Sequence, residues 1–432
     1  MPIELHRRIL TFAVTLYFIS TWSSMAAMEI FGWLTFALTF SYIFRKPEGE
    51  ILTLKTFDPY LPWKSTLLLF LITGIGLFVN GNSETDILFS WGSQRWIFLL
   101  YTLAIALTVS PPTTKGYRVF LTFTSIVAVY GVFQSITGID FLRSGNRAVL
   151  PLDLEAKMPL WRTAGLFGHP MQYAYIAGMH VCLPLAVALL TYKRRREFSW
   201  IFWGSVVAYA LISLSLITTF TRGAWIAMAI THLAVAAIVS PKLAAVLTGA
   251  GTAVVAILFS TVEMFRTRVL TLFDTNYHSN SDRLFLWKIN WEMFKDHPIF
   301  GIGYQENERR AGEYAEVLGN PDAFTGHAHN NYLQMLAGTG ITGFLTYMFI
   351  ISFMIWLTWR LWKALPREYL WARALALACL GAQLHLHIGG FTECNFKTGV
   401  TNHNFMVVWA LVISMTVLLK LNRTRTFKLG SP

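Results

Sequence analysis

The stretch Leu345-Thr346-Tyr347-Met348-Phe349-Ile350-Ile351-Ser352-Phe353-Met354-Ile355-Trp356-Leu357-Thr358-Trp359 carries no charge before Arg360, and the apolar pattern closes at Leu361. A helix of that length nearly crosses the hydrocarbon core of a bilayer, about 30 Å thick. A helix also satisfies its own backbone hydrogen bonds in lipid, so this run is read as a membrane span. Directly upstream stands Gly326-His327-Ala328-His329-Asn330-Asn331-Tyr332-Leu333-Gln334, followed by Gly340 to Gly343. Two histidines and two asparagines therefore sit at the mouth of an apolar helix, where lipid meets water. Titratable groups at that depth are costly to desolvate and mark a functional site. The plainer alternative is an interfacial anchor that hydrogen-bonds lipid headgroups.

The same apolar pattern recurs along the chain. Of 432 residues, 54% are hydrophobic and 13% charged, where a soluble domain carries roughly 25% charged residues. Twelve spans are expected, at about 9–22, 27–44, 62–80, 95–110, 117–137, 171–192, 199–219, 223–239, 243–262, 340–360, 369–390 and 403–421. The fold class is thus an all-α polytopic membrane protein with about 12 transmembrane helices. No small-residue cleavage site follows the first apolar run, so no removable signal is expected. Cys182, Cys379 and Cys394 are far apart and lack Cys-x-x-Cys spacing, which argues against a disulfide framework or a cysteine metal site. The net charge of +12 comes from basic residues scattered in short loops. That pattern disfavours nucleic acid as a partner and suits topology signals.

Alternate loops sort cleanly by charge. One set holds Arg45-Lys46, Lys115/Arg118, Lys193-Arg194-Arg195-Arg196, Lys242, Arg360/Lys363/Arg367 and the tail Arg423/Arg425/Lys428. The short loops near Ser23-Ser24, Gly81–Trp91 and Gly389–Asn402 hold almost none. The positive-inside rule makes the first set, and both termini, cytoplasmic. Three regions follow. Residues 1–262 form nine spans with an outer loop at 138–170, and 263–339 form an outer segment with interfacial helices and the histidine motif. Residues 340–432 form the last three spans and a basic cytoplasmic tail.

Within the outer segment, Asn280-Ser281-Asp282 offers N-cap residues for a helix running to about Lys295, stopped by His297-Pro298. Leu284, Trp287, Trp291 and Phe294 form an apolar stripe that suits the membrane interface. A second, polar helix is expected from Gln305 to Leu318, ending at Gly319.

Arg222 lies in the outer turn Thr221-Arg222-Gly223, against the orientation rule, and its planar fork suits a phosphate. Snorkelling to lipid phosphates is the competing explanation. Arg283 opens the expected interfacial helix, whose N-terminus also favours an anion. Arg147, Arg162, Arg266, Arg268, Arg309 and Arg310 read as ordinary solvated charge or headgroup contacts. His329 is the best general base, since a neutral imidazole accepts a hydroxyl proton near neutral pH. His327 could pair with it as a metal ligand, but no third ligand is fixed by spacing; Glu393, His403, His278 and His297 are the options. No bound metal and no cofactor is expected. The chain lacks a phosphate loop of ATP-driven transport and a Gly-x-Ser-x-Gly elbow. Asp153-Leu154-Glu155 is the nearest approach to Asp-x-Asp and is read as incidental.

His329-Asn330, nine residues, then Gly340-Ile341-Thr342-Gly343 resembles the His-Asn…Gly-x-x-Gly signature of bacterial O-antigen ligases and the related O-antigen polymerases. Thr221-Arg222-Gly223-Ala224-Trp225 is similar to that family's [Ser/Thr]-Arg-Gly-Ala-Trp segment. Arg283 to Trp287 with Phe294 through Gly303 is similar to its Arg…Trp…His-Pro-x-x-Gly-x-Gly segment. Gly165-Leu166-Phe167-Gly168-His169-Pro170 resembles an upstream Gly-x-Phe-Gly-Asn-Pro motif, with His169 where asparagine is common. The matches span about residues 160–345.

The resemblance implies a lipid-carrier (GT-C-like) glycosyltransferase of the bacterial inner membrane with a periplasmic site. It would move a glycan polymer from undecaprenyl diphosphate to lipid A-core as acceptor, by metal-independent inverting transfer. Implied roles are His329 as catalytic base, Arg222 and Arg283 for diphosphate binding, and Asn330, His327 and Tyr332 as supporting residues. A polymerase joining carrier-linked repeat units is the near alternative. A transporter of lipid-linked glycan is the remote one, since transporters place ionisable groups near the bilayer midplane.

Overall fold

A computed structural model describes residues 3–45, 54–81, 83–143, 161–194, 199–396 and 398–421. Lys46, residues 144–160 of the outer loop (with Arg147, Asp153 and Glu155), Arg195, Arg196 and the basic tail lie outside the described residues. The described chain is all helical and polytopic. Every expected span falls on a helix: Ile3–Ser20, Met25–Phe44, Trp63–Val79, Trp96–Val109, Thr114–Thr137, Pro170–His180 continued by Cys182–Lys193, Trp200–Ile217, Arg222–Val239, Pro241–Thr261, Asn331–Ala364, Leu370–Gly389 and Gly399–Lys420. Among the described residues, nine helices are long and apolar enough to cross a membrane. Trp63–Val79 is apolar but, at 17 residues, shorter.

Burial sorts these helices into centre and rim. Gly399–Lys420 and Leu370–Gly389 bury most of their residues. The first packs on Trp96–Val109, the second on Arg222–Val239 and Cys182–Lys193. Pro241–Thr261 buries no residue fully and lies at the rim, where it packs chiefly on Arg222–Val239. Such bundles cohere by close packing, because lipid tails compete equally for apolar surface.

Three details of the segment 263–339 differ from expectation. After a short helix at Glu263–Leu270, the expected interfacial helix runs His278–Asp296, starting two residues earlier than the expected cap, and Asn280 caps nothing. Instead Asn280 Nδ2 donates to the carbonyls of Thr271 at 2.8 Å and Asp274 at 2.6 Å. The buried stripe is Leu286, Ile289, Asn290 and Met293, while Leu284 and Trp291 are exposed. The protein-facing stripe carries a polar member, Asn290, bonded to Asn307 at 2.6 Å, so hydropathy alone selected the other face. The expected helix from Gln305 to Leu318 is split at Arg310 into Glu306–Arg309 and Ala311–Val317.

The longest described helix, Asn331–Ala364, is broken once, at Gly340 (φ 63°, ψ −169°). The break frees backbone groups that Pro298 to Gly303 then satisfy. Ile302 N donates to Ala337 O at 2.9 Å, Gly303 N to Gly338 O at 3.2 Å and Ile341 N to Pro298 O at 2.8 Å. Thr342 Oγ1 adds a bond to Ile299 O at 2.6 Å. A Cβ on Gly340 would lie 2.3 Å from Ile299 O, and one on Gly301 2.4 Å from Gly338 C. Positive φ and this backbone approach both demand glycine. The His-Pro-x-x-Gly-x-Gly and Gly-x-x-Gly segments are therefore two halves of one joint. Replacing Gly340 with alanine should cost about 2–3 kcal/mol through strain and steric overlap. A lowered melting midpoint of the detergent-purified protein would show it, and an unchanged midpoint would contradict this account of the joint.

Candidate active site at the histidine loop

The joint places the start of Asn331–Ala364, and the loop before it, against the turn at Gly390–Asn395. Asn330 is the N-cap: its Oδ1 accepts from the backbone N–H groups of Tyr332 at 2.9 Å and Leu333 at 3.1 Å. Its Nδ2 donates to Phe391 O at 3.1 Å, and its backbone N to Cys394 Sγ at 3.3 Å. Asn331 is buried and donates to Asn395 Oδ1 at 2.6 Å. Both asparagines thus clamp the loop to the turn; Asn330 spends its side chain on backbone. Tyr332 donates its hydroxyl to His387 O at 2.8 Å and packs on Phe391. His329 itself sits at φ 46°, a left-handed conformation uncommon for any residue but glycine. Its backbone N donates to His327 Nδ1 at 3.2 Å.

The turn supplies what spacing could not specify. Glu393, 6% exposed, lies beneath both imidazoles. Its Oε2 is 3.0 Å from His329 Nδ1 and 3.8 Å from Arg283, and its Oε1 is 3.7 Å from His327 Nε2. Burial pushes the Glu393 carboxyl up. The hydrogen bond from His329, with the neighbouring imidazoles and the Arg283 guanidinium, outweighs burial and holds it below the usual 4.5. An ionised carboxylate only accepts, so Nδ1 of His329 carries the proton and Nε2 keeps a free lone pair. The same logic applies to His327, whose Nδ1 accepts and whose Nε2 then faces Glu393 as N–H.

The arginines form a second layer. Arg222 is 7% exposed and is held by Thr271 O at 2.6 Å and Asn280 Oδ1 at 2.8 Å, with Tyr277 beneath its guanidinium. It is an internal residue, which answers the snorkelling alternative. Arg283 falls in the second turn of His278–Asp296, so the helix N-terminus does not add to it as expected. Its Nε is buried without a hydrogen-bond partner.

Two further arginines join them, against the expectation of ordinary solvated charge. Arg162 donates to Thr219 O at 2.7 Å and Thr221 Oγ1 at 3.0 Å. Burial, then the charges of Arg268, Arg283 and Arg222, push it down to about 10, with Glu393 opposing. Arg268 is buried, meets the Tyr277 hydroxyl at 3.3 Å, and also leaves Nε without a partner. Mutually repelling guanidiniums with unspent donors are arranged for an anion. Arg162 precedes the Gly-Leu-Phe-Gly-His-Pro segment, and that adjacency was the one signal in the sequence. Arg266, by contrast, is a surface partner of Glu263.

Residues 207–348 match the family model described as O-Antigen ligase. Over that segment, about a third of its length, the chain is similar to the O-antigen ligase family. A search of curated proteins returns no match for it. The matched O-antigen ligase segment contains Arg222, Arg268, Arg283, His327, His329, Asn330 and Tyr332. Arg162 and Glu393 fall outside it, so only the fold brings them to the family's residues.

His327, His329 and Glu393 also have the spacing of a metal cluster, with one donor atom from each within 4.8 Å of the others. Glu393 is the third ligand that spacing alone left open. Two observations oppose a cation there. His327 Nδ1 is already an acceptor, so its other nitrogen is protonated. The Arg283 guanidinium also stands 3.8 Å from the shared carboxylate.

A carboxyl depressed by folding stabilises the protein above its unfolded value, and that contribution is lost as pH falls through the folded value. The melting-temperature gap between wild type and Glu393→Gln should be widest above the ordinary value of 4.5 and narrow below it. Thermal melts across that range test this; a gap independent of pH would contradict an ionised Glu393.

Proposed function

We propose that this protein is a glycosyltransferase that moves a glycan from undecaprenyl diphosphate to the lipid A-core oligosaccharide, at the periplasmic face of the inner membrane. The observation that carries the reading is the His329–Glu393 pair beside Arg268 and Arg283, each of which buries an Nε that has no hydrogen-bond partner. That pair supplies a base of fixed tautomer, and the arginines supply a seat for a diphosphate. The charge pattern of the loops supports cytoplasmic termini and an outward site.

His329 Nε2 takes the proton of the acceptor hydroxyl as that oxygen bonds to the anomeric carbon. The bond from this carbon to the diphosphate oxygen breaks, and its electron pair leaves with the diphosphate. Glu393 stabilises the imidazolium that forms, as a buried carboxylate does in other base–carboxylate pairs. Arg283 and Arg268, whose Nε groups are unspent, meet the growing negative charge, while Arg222 and Arg162 set the field around them. The arginines supply the charge neutralisation, so the reading calls on no divalent ion. One displacement inverts the anomeric centre. His327 completes the shell of Glu393, and Asn330 and Tyr332 hold the loop.

A positioned base contributes about 10²–10⁴ in rate. His329→Ala should lose at least that much transfer while still binding donor lipid, measured with purified protein and a fluorescent lipid-linked glycan. Unimpaired transfer would overturn the assignment. A polymerase would need the same donor site, and the His-Asn…Gly-x-x-Gly spacing is what favours a ligase. In a deletion strain a ligase leaves core without polymer while carrier-linked chains accumulate. Core bearing a single repeat would instead identify a polymerase.

A further inference from the structure

A second polar cavity opens at the same end of the bundle. Its volume is about 340 Å³, within the range of small-ligand clefts. It lies between the starts of Met25–Phe44 and Gly399–Lys420 and the segment Gln305–Arg309. We infer that this cavity seats the acceptor sugar, an inference that rests on the glycosyl-transfer reading above.

Its lining has the chemistry of a hydroxyl-rich ligand. Glu29 and Arg95 are paired at 2.5 Å, and His403 stands 3.5 Å from Glu29 with Tyr17 bonded behind it at 2.8 Å. On the opposite wall Arg309 is 3.5 Å from the buried Glu306. Carboxylates and guanidiniums thus face the space together, offering acceptors and donors at once. An anionic ligand would meet Glu29 and Glu308; an apolar one would strand the ion pairs. Vicinal hydroxyls, which donate and accept, suit both walls. Asn402 adds an amide to the lining. It is 5% exposed, and its Oδ1 has no hydrogen-bond partner within the protein. Phe89, 68% exposed, adds an aromatic surface against which a sugar ring can lie.

The cavity is wired to the base. Gln334 Nε2 donates to Glu308 Oε1 at 2.9 Å, while Gln334 Oε1 accepts from Ala328 N at 2.8 Å. One side chain therefore spans from the cavity wall to the residue preceding His329. A smaller cavity shares Gln305 with the first and reaches Asn331 and Gln334. The histidine loop is tied to the arginine layer through Glu393 on one side and to this cavity through Gln334 on the other. A two-substrate displacement needs donor and acceptor held about one base, and these hydrogen bonds tie both neighbourhoods to the loop that carries it.

The test uses the full-length protein in detergent, a lipid-linked glycan donor, and core oligosaccharide released from lipid A as acceptor probe. Phe89→Ala is chosen because its ring is exposed, and Asn402→Leu because it deletes the unspent oxygen. Each should raise KM for the acceptor about tenfold, the loss of one ring contact or hydrogen bond, with KM for the donor unchanged. Calorimetric titration of the core oligosaccharide into His329→Ala, which needs no turnover, should show binding that Phe89→Ala or Asn402→Leu added to that background weakens by a similar factor. An unchanged acceptor KM, a shift in donor KM, or equal binding with and without the cavity substitutions would each overturn the inference. Full transfer by His329→Ala would instead overturn the catalytic reading, and the titration would still decide what the cavity binds.

Discussion

Everything at the polar end of this bundle depends on one buried carboxylate. Removing an ion from water costs several kcal/mol even after relaxation, so Glu393 persists as an anion only because partners surround it. Those partners are His329, His327 and Arg283, drawn from two separate elements. The carboxylate fixes which nitrogen of His329 holds a proton, and it anchors a loop whose own backbone is strained at φ 46°. It also tempers a field that four arginines would otherwise make uniformly positive. The histidine, its loop and the arginine layer are one electrostatic unit.

That unit rests on a mechanical joint. The helix carrying the histidine loop at its mouth breaks at Gly340, and the freed backbone bonds to the turn at Pro298–Gly303. The same passage terminates the helix that carries Arg283. A rigid connection between base and cation follows from backbone hydrogen bonds rather than from side-chain packing. Glycine-rich segments that look catalytic in the sequence are therefore structural, and they act on chemistry only by holding its parts in place.

Apolar length made the membrane spans legible, because a spanning helix must be both long and uncharged, and every expected span coincides with a helix. His329 was legible as a titratable group at a membrane edge, Arg222 as a cation against the orientation rule and Arg283 as the opening of an expected helix, and the structure gathers all three at one end. Glu393 was visible only as one of several unplaced ligands, since 64 residues of chain separate it from His329. Arg162 and Arg268 were illegible for a related reason. A solvated arginine and a buried one look alike until the fold supplies neighbours. The interfacial helix was found but turned, because its protein-facing stripe includes Asn290 and hydropathy counts that against it.

The central claim is a single displacement driven by a histidine base and arginine charge. The most direct test is the anomeric configuration of the new linkage. A donor of known configuration, the purified protein and an acceptor would be combined in the presence of a strong chelator, and the product's anomeric proton coupling measured by NMR. The account predicts an inverted centre, formed at an undiminished rate. A retained centre, or transfer that stops when divalent ions are removed, would contradict it.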